Sequence, residues 1–583
     1  MKISIIWQVW CGMPYTSKLG GKMKVTDYIV EFLISKGVTD VFGYPGGMVT
    51  HLMDSFSKYK GKITIHAAYH EQAASFEACG YAQACGKVGV AYATSGPGAT
   101  NMVTGICHAY FDSIPVVFLT GQVNTFESKK VYCVRQRGFQ ETDIVDMVKG
   151  VTKYVAYIDT PEKVQECLEM AYDAVMEGRK GPALLDVPMD IQKAEIKPVW
   201  KPHTKIRKKQ ASYQAVTEKL KAAERPCIVL GAGLKGSKKK DITVFVEHMQ
   251  IPVVTSMVAV DLLPYEHPLF YGFIGAYGQR AANFITAKSD LVLILGSRMD
   301  VRQVGKKREA FAPGAAIIRV DIDQGELTYK IREDEVGIHA DAWEVVQYLM
   351  CDYKESRSKY AGWRQVCSEI REQLWGWDDR ESNDLVKKIS RHVPEGTIIT
   401  TDVGQNQVWV AQSYRVKEGQ QILFSGGHGA MGYSLPAAIG AYYAYNRPVV
   451  CFNGDGGIQM NIQELAFIRR EKLPIKIVVL NNYALGMIRH FQEMYFEGNY
   501  IQTVCGNGYE APNFEQIAKA YDIAYISYVP NQDISDKFMK IEGPVLVEVK
   551  LRGDTYVYPK LEFGKASQDQ EPLIGRELFQ YIM

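Results

Sequence analysis

The stretch Pro448–Met487, PVVCFNGDGGIQMNIQELAFIRREKLPIKIVVLNNYALGM, constrains the fold more than any other part of the chain. An apolar run, Val449 to Phe452, ends in Asn453-Gly454-Asp455-Gly456-Gly457. Ile462, Leu465, Ala466 and Ile468 then recur at helical spacing, and Pro474 ends that segment. A second apolar run, Ile475 to Leu480, leads into Asn481-Asn482. Short apolar runs bounded by turn residues and separated by a helical period predict strand, glycine turn, helix, strand. Such a crossover is right-handed, and its strands parallel, in about 98% of cases. The pattern predicts an α/β fold and puts Asp455 and Asn482 at the carboxyl ends of two parallel strands, where open sheets bind ligands.

A carboxylate and an amide oxygen placed in this way suit a hard divalent cation. Mg²⁺ takes about six oxygens, and Asp455, Asn482 and the main-chain carbonyl of Ala484 would supply the protein's share, with phosphate oxygens supplying more. Gly454, Gly456 and Gly457 carry no side chain to keep phosphates from the backbone N–H groups of the turn. Singly, G-D-G-G is a turn and N-N a strand end. Together, on consecutive strands, they resemble the thiamin diphosphate signature.

The rest of the chain extends that resemblance. From Met23 to about residue 195 helix and strand alternate, which predicts a parallel sheet covered on both faces. The strand Ile63 to Ala68 leads to His70-Glu71-Gln72, and the strand Val88 to Ala93 to the loop Thr94-Ser95-Gly96-Pro97-Gly98-Ala99-Thr100-Asn101. H-E-Q, T-S-G-P-G-A-T-N and the later I-P-V-V-F-L-T-G-Q-V resemble the pyrimidine-binding domain of the acetolactate (acetohydroxyacid) synthase group of thiamin diphosphate enzymes. The similarity runs from Met23 to about residue 555. It implies that Glu71 hydrogen-bonds the N1′ atom of the aminopyrimidine, favouring its protonated form so that the exocyclic amine, as an imine, takes the proton from C2 of the thiazolium. A helix-capping role is the alternative reading of Glu71.

The same resemblance implies three doubly wound parallel-sheet domains. These are a pyrimidine-binding domain over residues 23–195, a central nucleotide-binding-like domain over 205–350 and a diphosphate- and Mg²⁺-binding domain over 375–555. Residues 1–22 are expected to be a disordered N-terminal extension and 556–583 a C-terminal tail. In the central domain, strands at Pro226 to Leu230, Ile251 to Ser256, Asp290 to Leu295 and Ala316 to Val320 precede polar or glycine turns. The family holds FAD, ADP or nothing there. Gly231, Gly233, Arg298, Asp300, Arg302, Asp321 and Asp341 stand where it contacts the flavin, with Arg179 doing so from the first domain. Bound FAD is the expectation, and a vestigial nucleotide site the alternative.

In the third domain the strand Ile398 to Thr401 ends in Asp402-Val403-Gly404-Gln405-Asn406, and Gly429-Ala430-Met431-Gly432 precedes the small-residue helix SLPAAIGAYYA. The resemblance implies that Gly404, Gln405, Asn406 and Gly429 contact the diphosphate. It also implies that Met431 props the cofactor into a bent form that brings its reacting atoms together, unless the side chain is ordinary core filling. Gly486 and Met487 close the cofactor-binding set. Gln140 corresponds to a family residue near the reacting centre and Phe139 to an apolar wall beside it.

Composition excludes other classes. At 583 residues, 47% apolar and 23% charged, the chain is long enough for several cores, and a net charge of +2 gives no reason to expect nucleic acid or an acidic membrane as partner. Eleven cysteines with no C-x-x-C pair point to a reducing cytoplasm rather than a disulfide framework.

The resemblance thus implies a carboligase that decarboxylates pyruvate and passes the two-carbon unit to a second carbonyl, in a homodimer or homotetramer. With pyruvate as acceptor the product is 2-acetolactate. The chain departs from the biosynthetic pattern where the acceptor would sit: Met189 replaces a lysine, Phe491 a tryptophan, and the segment Lys129 to Arg137 is longer. Arg135 and Arg137 are candidates for the missing charge. These departures keep three other readings open: a keto-sugar acceptor in surface-sugar biosynthesis, a thiamin-dependent decarboxylase or oxidase, and a non-catalytic relative.

Overall fold

The computed structural model describes residues 21–198, 213–235, 239–529, 532–562 and 564–583. The expected N-terminal arm, apart from its last two residues, and the basic run Lys205 to Lys209 lie outside them. The chain divides into two compact units, one of Met1–Ala78 with Lys87–Ile206 and the other of Cys79–Gly86 with Arg207–Met583.

The first unit is built on one six-stranded parallel sheet in the order Thr64–Ala67, Asp40–Gly43, Gly89–Ala93, Val116–Gln122, Ala183–Pro188, Tyr154–Tyr157. Its interior strands are buried along their length, Val116–Gln122 and Ala183–Pro188 at every residue. Strands buried at every residue belong to sheets covered on both faces. Met23–Lys24 pairs antiparallel with Glu195–Ile196, and the first helix runs Val25–Ser35.

The second unit holds two further six-stranded parallel sheets. One follows the order Phe270–Phe273, Val253–Thr255, Pro226–Leu230, Leu291–Leu295, Ala316–Asp321, Val336–His339. Numbered along the chain this is 3-2-1-4-5-6, the strand order of dinucleotide-binding folds. The other runs Gln421–Leu423, Ile398–Thr401, Val449–Gly454, Ile475–Asn481, Val545–Lys550, Ala524–Tyr528. Its order, 2-1-3-4-6-5, is that of the sheet in the first unit. Among the described residues these are three doubly wound parallel sheets, as the sequence predicts.

In the last sheet the chain reverses its direction of winding between Ile398–Thr401 and Val449–Gly454. The loops leaving these two neighbours, Asp402–Asn406 and Asp455–Gly457, therefore flank the crevice where doubly wound sheets take ligands. Between Gly457 and Pro474 the expected helix comes in two parts, a 3₁₀ turn Ile458–Asn461 and an α-helix Glu464–Arg470. The turn is pinned by the Asn461 amide, which donates to the carbonyl of Gly432 at 2.8 Å.

The segment set apart in the sequence as a tail packs into the middle sheet's core. Ile574 and Ile582 are buried there, Phe579 meets Phe284 edge-on at 5.3 Å between ring centroids, and Lys560 and Glu571 exchange backbone hydrogen bonds of 2.9 and 2.7 Å. No helix among the described residues is long and apolar enough to cross a membrane.

Candidate active site

In the first unit, Glu71 opens the helix Glu71–Cys85 and is buried. Its Oε2 accepts a hydrogen bond of 2.9 Å from the Asn101 amide. Gly98 gives the carboxyl room, since a Cβ there would stand 3.2 Å from Oε1 and 2.8 Å from Thr94 Cγ2. The Thr94–Asn101 loop is held on two other sides. Thr94 Oγ1 accepts from the Met48 N–H at 3.1 Å, and Gly96, at φ +62°, lets the backbone of Gln140 come within 2.9 Å of where a Cβ would be. Gln140 takes φ +61° to do so. The structure thus brings Glu71, the T-S-G-P-G loop and Gln140 together, while the Phe139 ring is 79% exposed.

Gln140 is positioned by its neighbour. Burial would raise the pKa of Glu141, but N–H groups of Lys129, Arg137 and Gly138 and the Ser128 hydroxyl together hold the carboxyl below the usual range. This carboxylate, which sequence reasoning missed, is the hub of the long 129–137 segment. Arg137 serves the same loop, its guanidinium donating to the carbonyls of Phe126 and Ser128 and lying 4.8 Å above the Tyr132 ring. It is therefore engaged locally, whereas Arg135 is exposed. Arg179, also in this unit, donates from Nε to Ser113 Oγ at 2.9 Å.

In the second unit, Asp455 and Asn482 come together at the ends of adjacent strands, both nearly fully buried. Asn482 Nδ2 donates to Gln405 Oε1 (2.9 Å) and Thr555 Oγ1 (2.8 Å). Its amide oxygen is thereby turned to the other side, where the Asp455 Oδ1 position is 3.1 Å and the Ala484 carbonyl 2.9 Å away. With the amide placed this way three acceptor oxygens face one another, the chemistry of a hard-cation site; exchanged end for end, the same amide would instead donate to Asp455 and Ala484. The second carboxylate oxygen, Asp455 Oδ2, accepts from the Tyr509 hydroxyl at 2.9 Å. Burial pushes the Asp455 carboxyl up to about 7, as expected for a buried acid with no positive charge beside it.

Gly456 and Gly457 make room for neighbouring protein atoms. A Cβ on Gly457 would fall 1.8 Å from Asp402 Oδ2, and one on Gly456 2.6 Å from Leu485 Cδ2 and 3.6 Å from Met431 Cε. Asp402, whose role the sequence did not show, lies at the start of its turn. It accepts from the N–H groups of Gly432 and Tyr433 at 3.1 and 3.0 Å, and burial raises its carboxyl to about 6. It thus joins the Gly404–Asn406 turn to the Met431 segment. Gly404 (φ +136°) and Gly454 both stand 3.3 Å from Asn406 Nδ2 at the Cβ position. Gly429 lies open, Met487 is half-buried, and the Phe491 ring is half-exposed beside Tyr495 at 4.7 Å.

At the switch point of the middle sheet, a Cβ on Gly231 would meet Gly296 O at 2.1 Å and one on Gly233 would meet Gly296 Cα at 2.9 Å. These glycines pack two loops together. Arg298 pairs with Asp300 at 2.7 Å, Asp300 caps the turn Val301–Val304 through the N–H groups of Arg302 and Gln303, and the Arg302 guanidinium lies 6.0 Å from the Tyr277 ring centroid. Asp321 accepts from the Asp323 N–H at 2.9 Å, and Asp341 caps the helix Ala342–Asp352 through Trp343 N at 2.8 Å.

Comparison with known proteins agrees with this architecture. Residues 23–147, 213–349 and 402–549 match the family descriptions "Thiamine pyrophosphate enzyme, N-terminal TPP binding domain", "central domain" and "C-terminal TPP binding domain". Fold and matches together define a thiamin diphosphate-dependent enzyme. The chain is 35% identical to the acetolactate synthase large subunit of Lactococcus lactis, with 93% of this chain and 95% of that protein covered. It is 33% identical to the acetolactate synthase isozyme 2 large subunit of Escherichia coli (94% and 99% covered) and 35% identical to acetolactate synthase 1, chloroplastic, of Oryza sativa (94% and 87%). Within that class the chain belongs to the acetolactate synthase family.

Proposed function

We propose that the protein is a carboligase that decarboxylates pyruvate and transfers the two-carbon unit to a second carbonyl, giving 2-acetolactate when the acceptor is pyruvate. The observation that carries this reading is the face of three oxygens from Asp455, Asn482 and Ala484, which fits Mg²⁺ holding a diphosphate. Thiamin diphosphate, when bound, supplies a nucleophilic carbon and an electron sink for decarboxylation.

The protein's own part is binding, orientation and exclusion of water. Asp455, Asn482 and the Ala484 carbonyl would hold Mg²⁺, and the Gly404–Asn406 turn, Gly429, Gly454, Gly456, Gly457, Gly486 and Met487 would form the diphosphate cradle. Met431, whose Cε reaches to within 3.6 Å of the Gly456 Cβ position, would prop the cofactor. Glu71 would hold a proton at the cofactor's pyrimidine N1′, with Oε2 fixed by Asn101 and Oε1 left to the ring. Gln140 and Phe139 would border the substrate. The long segment that precedes Phe139 and Gln140 and the half-buried Met189 in place of a lysine favour one further reading, an acceptor such as a keto-sugar that brings no carboxylate.

The middle sheet's dinucleotide-type strand order supports FAD as a second cofactor, held by Gly231, Gly233, Arg298, Asp300, Arg302, Asp321, Asp341 and Arg179. Because the glycines pack on Gly296 and the carboxylates serve as caps, no catalytic step is assigned to it. A flavin spectrum released on denaturing the purified protein tests its presence. Light scattering tests the homodimer or homotetramer, and fractionation a cytoplasmic location. The function itself is tested by incubating purified protein with thiamin diphosphate, Mg²⁺, labelled pyruvate and candidate keto-sugars. Labelled acetolactate or a labelled branched sugar supports ligation, and free acetaldehyde or acetate alone would replace it with the decarboxylase or oxidase reading.

A further inference from the structure

Beneath the three oxygens, Asn482, Gln405 and Thr555 form a closed ring of hydrogen bonds. Asn482 Nδ2 donates to both partners, the Thr555 hydroxyl donates to Gln405 Oε1 at 2.9 Å, and Gln405 Nε2 donates to the main-chain carbonyl of Thr555 at 3.0 Å. Every donor in the ring has an acceptor. Gly486 leaves space for it, since a Cβ there would stand 2.1 Å from Gln405 Oε1 and 2.6 Å from Asn482 Nδ2.

An amide presents nearly the same shape when its oxygen and nitrogen exchange places. Turned in this way, Asn482 would donate to Asp455 Oδ1 at 3.1 Å and to the Ala484 carbonyl at 2.9 Å, and two internal hydrogen bonds would close the cation face. Its oxygen would then accept from the Thr555 hydroxyl at 2.8 Å but stand 2.9 Å from Gln405 Oε1, acceptor against acceptor. Gln405 cannot relieve this by turning as well, because its own oxygen would then face the Thr555 carbonyl. The choice between an open and a closed face is thus made by the partners of Asn482.

We propose that Gln405 is a positioning residue that locks the Asn482 amide oxygen towards the cation, that the Thr555 hydroxyl and carbonyl hold Gln405 in that orientation, and that the turned amide is a closed form of the site that excludes the ion. The lock rests on the reading of Asp455, Asn482 and Ala484 as cation ligands and adds to it the residues that decide which atom of Asn482 faces the ion.

The test is calorimetric titration of Mg²⁺ into the full chain with thiamin diphosphate present, for the wild type and the variants Gln405→Leu, Thr555→Val, Thr555→Ser and Asp455→Asn. Gln405→Leu removes the oxygen that opposes the turned amide and is expected to weaken Mg²⁺ binding roughly 10- to 100-fold, the range for lost outer partners of metal ligands. Thr555→Val leaves that oxygen in place and weakens binding less, while Thr555→Ser keeps the hydroxyl and binds as the wild type does. The metal-free melting temperature of Gln405→Leu is expected to hold, because the turned amide satisfies its own donors; a merely structural role would lower it. Wild-type affinity in both Gln405→Leu and Thr555→Val, with Asp455→Asn impaired, would overturn the lock and leave the ligand reading standing. Wild-type affinity in Asp455→Asn would remove the ligand reading and the lock together.

Discussion

A carboxyl group sealed away from water keeps its proton longer than one at the surface. Burial raises Asp186 to about 7 despite the Thr120 hydroxyl and Gln122 amide bound to it, and Asp402 to about 6. An acid whose folded pKa stands above its unfolded value of about 4 binds its proton more tightly when folded. Its contribution to stability is intact at low pH and is lost as pH rises from about 4 towards 7. The metal-free protein is accordingly expected to lose stability over that window, and Asp186→Asn to flatten the profile, as measured by urea denaturation from pH 4 to 8. Glu71→Gln is expected to cut turnover by orders of magnitude with a smaller change in cofactor affinity; unchanged turnover would remove Glu71 from the chemistry. Asp455, Asn482 and Glu71 were legible in the sequence because each sits in a motif beside its strand. Tyr509 and Thr555 were not, since each reaches the site from a distant irregular segment that carries no period.

At the scale of the element, the Asp402 turn and the Gly456–Gly457 turn are fitted to one another. Gly457 has φ −66°, so its need for glycine is steric rather than conformational. Gly457→Ala would press a methyl against Asp402 and is expected to destabilise the protein by about 1–3 kcal/mol, the range for overpacking. Denaturant midpoints measure this, and an unchanged midpoint would show that Asp402 moves aside freely. Strands such as Pro226–Leu230 were legible because they read as unbroken apolar runs, and this one lies where the sequence put it. The 3₁₀ turn before the helix Glu464–Arg470 was not legible, because the Asn461–Gly432 hydrogen bond that shapes it joins residues far apart in the chain.

In the whole molecule, the last residues complete the second unit's core. Arg280, almost fully buried, pairs with Asp378 through two hydrogen bonds of 2.6 and 2.9 Å and caps the carbonyls of Gln570 and Pro572. Breaking such a pair leaves a buried charge uncompensated, so Arg280→Met is expected to destabilise by about 3–5 kcal/mol, read by chemical denaturation. Ile574, Leu578, Phe579 and Ile582 do recur at helical spacing, but the sequence did not reveal where they pack, because the sheet that buries them is formed hundreds of residues earlier. The repeated doubly wound design was legible, since helix and strand alternate throughout. The most direct test of the account is mass spectrometry of the products from labelled pyruvate, thiamin diphosphate and Mg²⁺ with purified wild-type and Asp455→Asn protein. Label released as CO₂ and label joined to a second carbonyl by the wild type, with both lost in the variant, is the predicted result. Cofactor bound to the wild type with no release of CO₂ would contradict it.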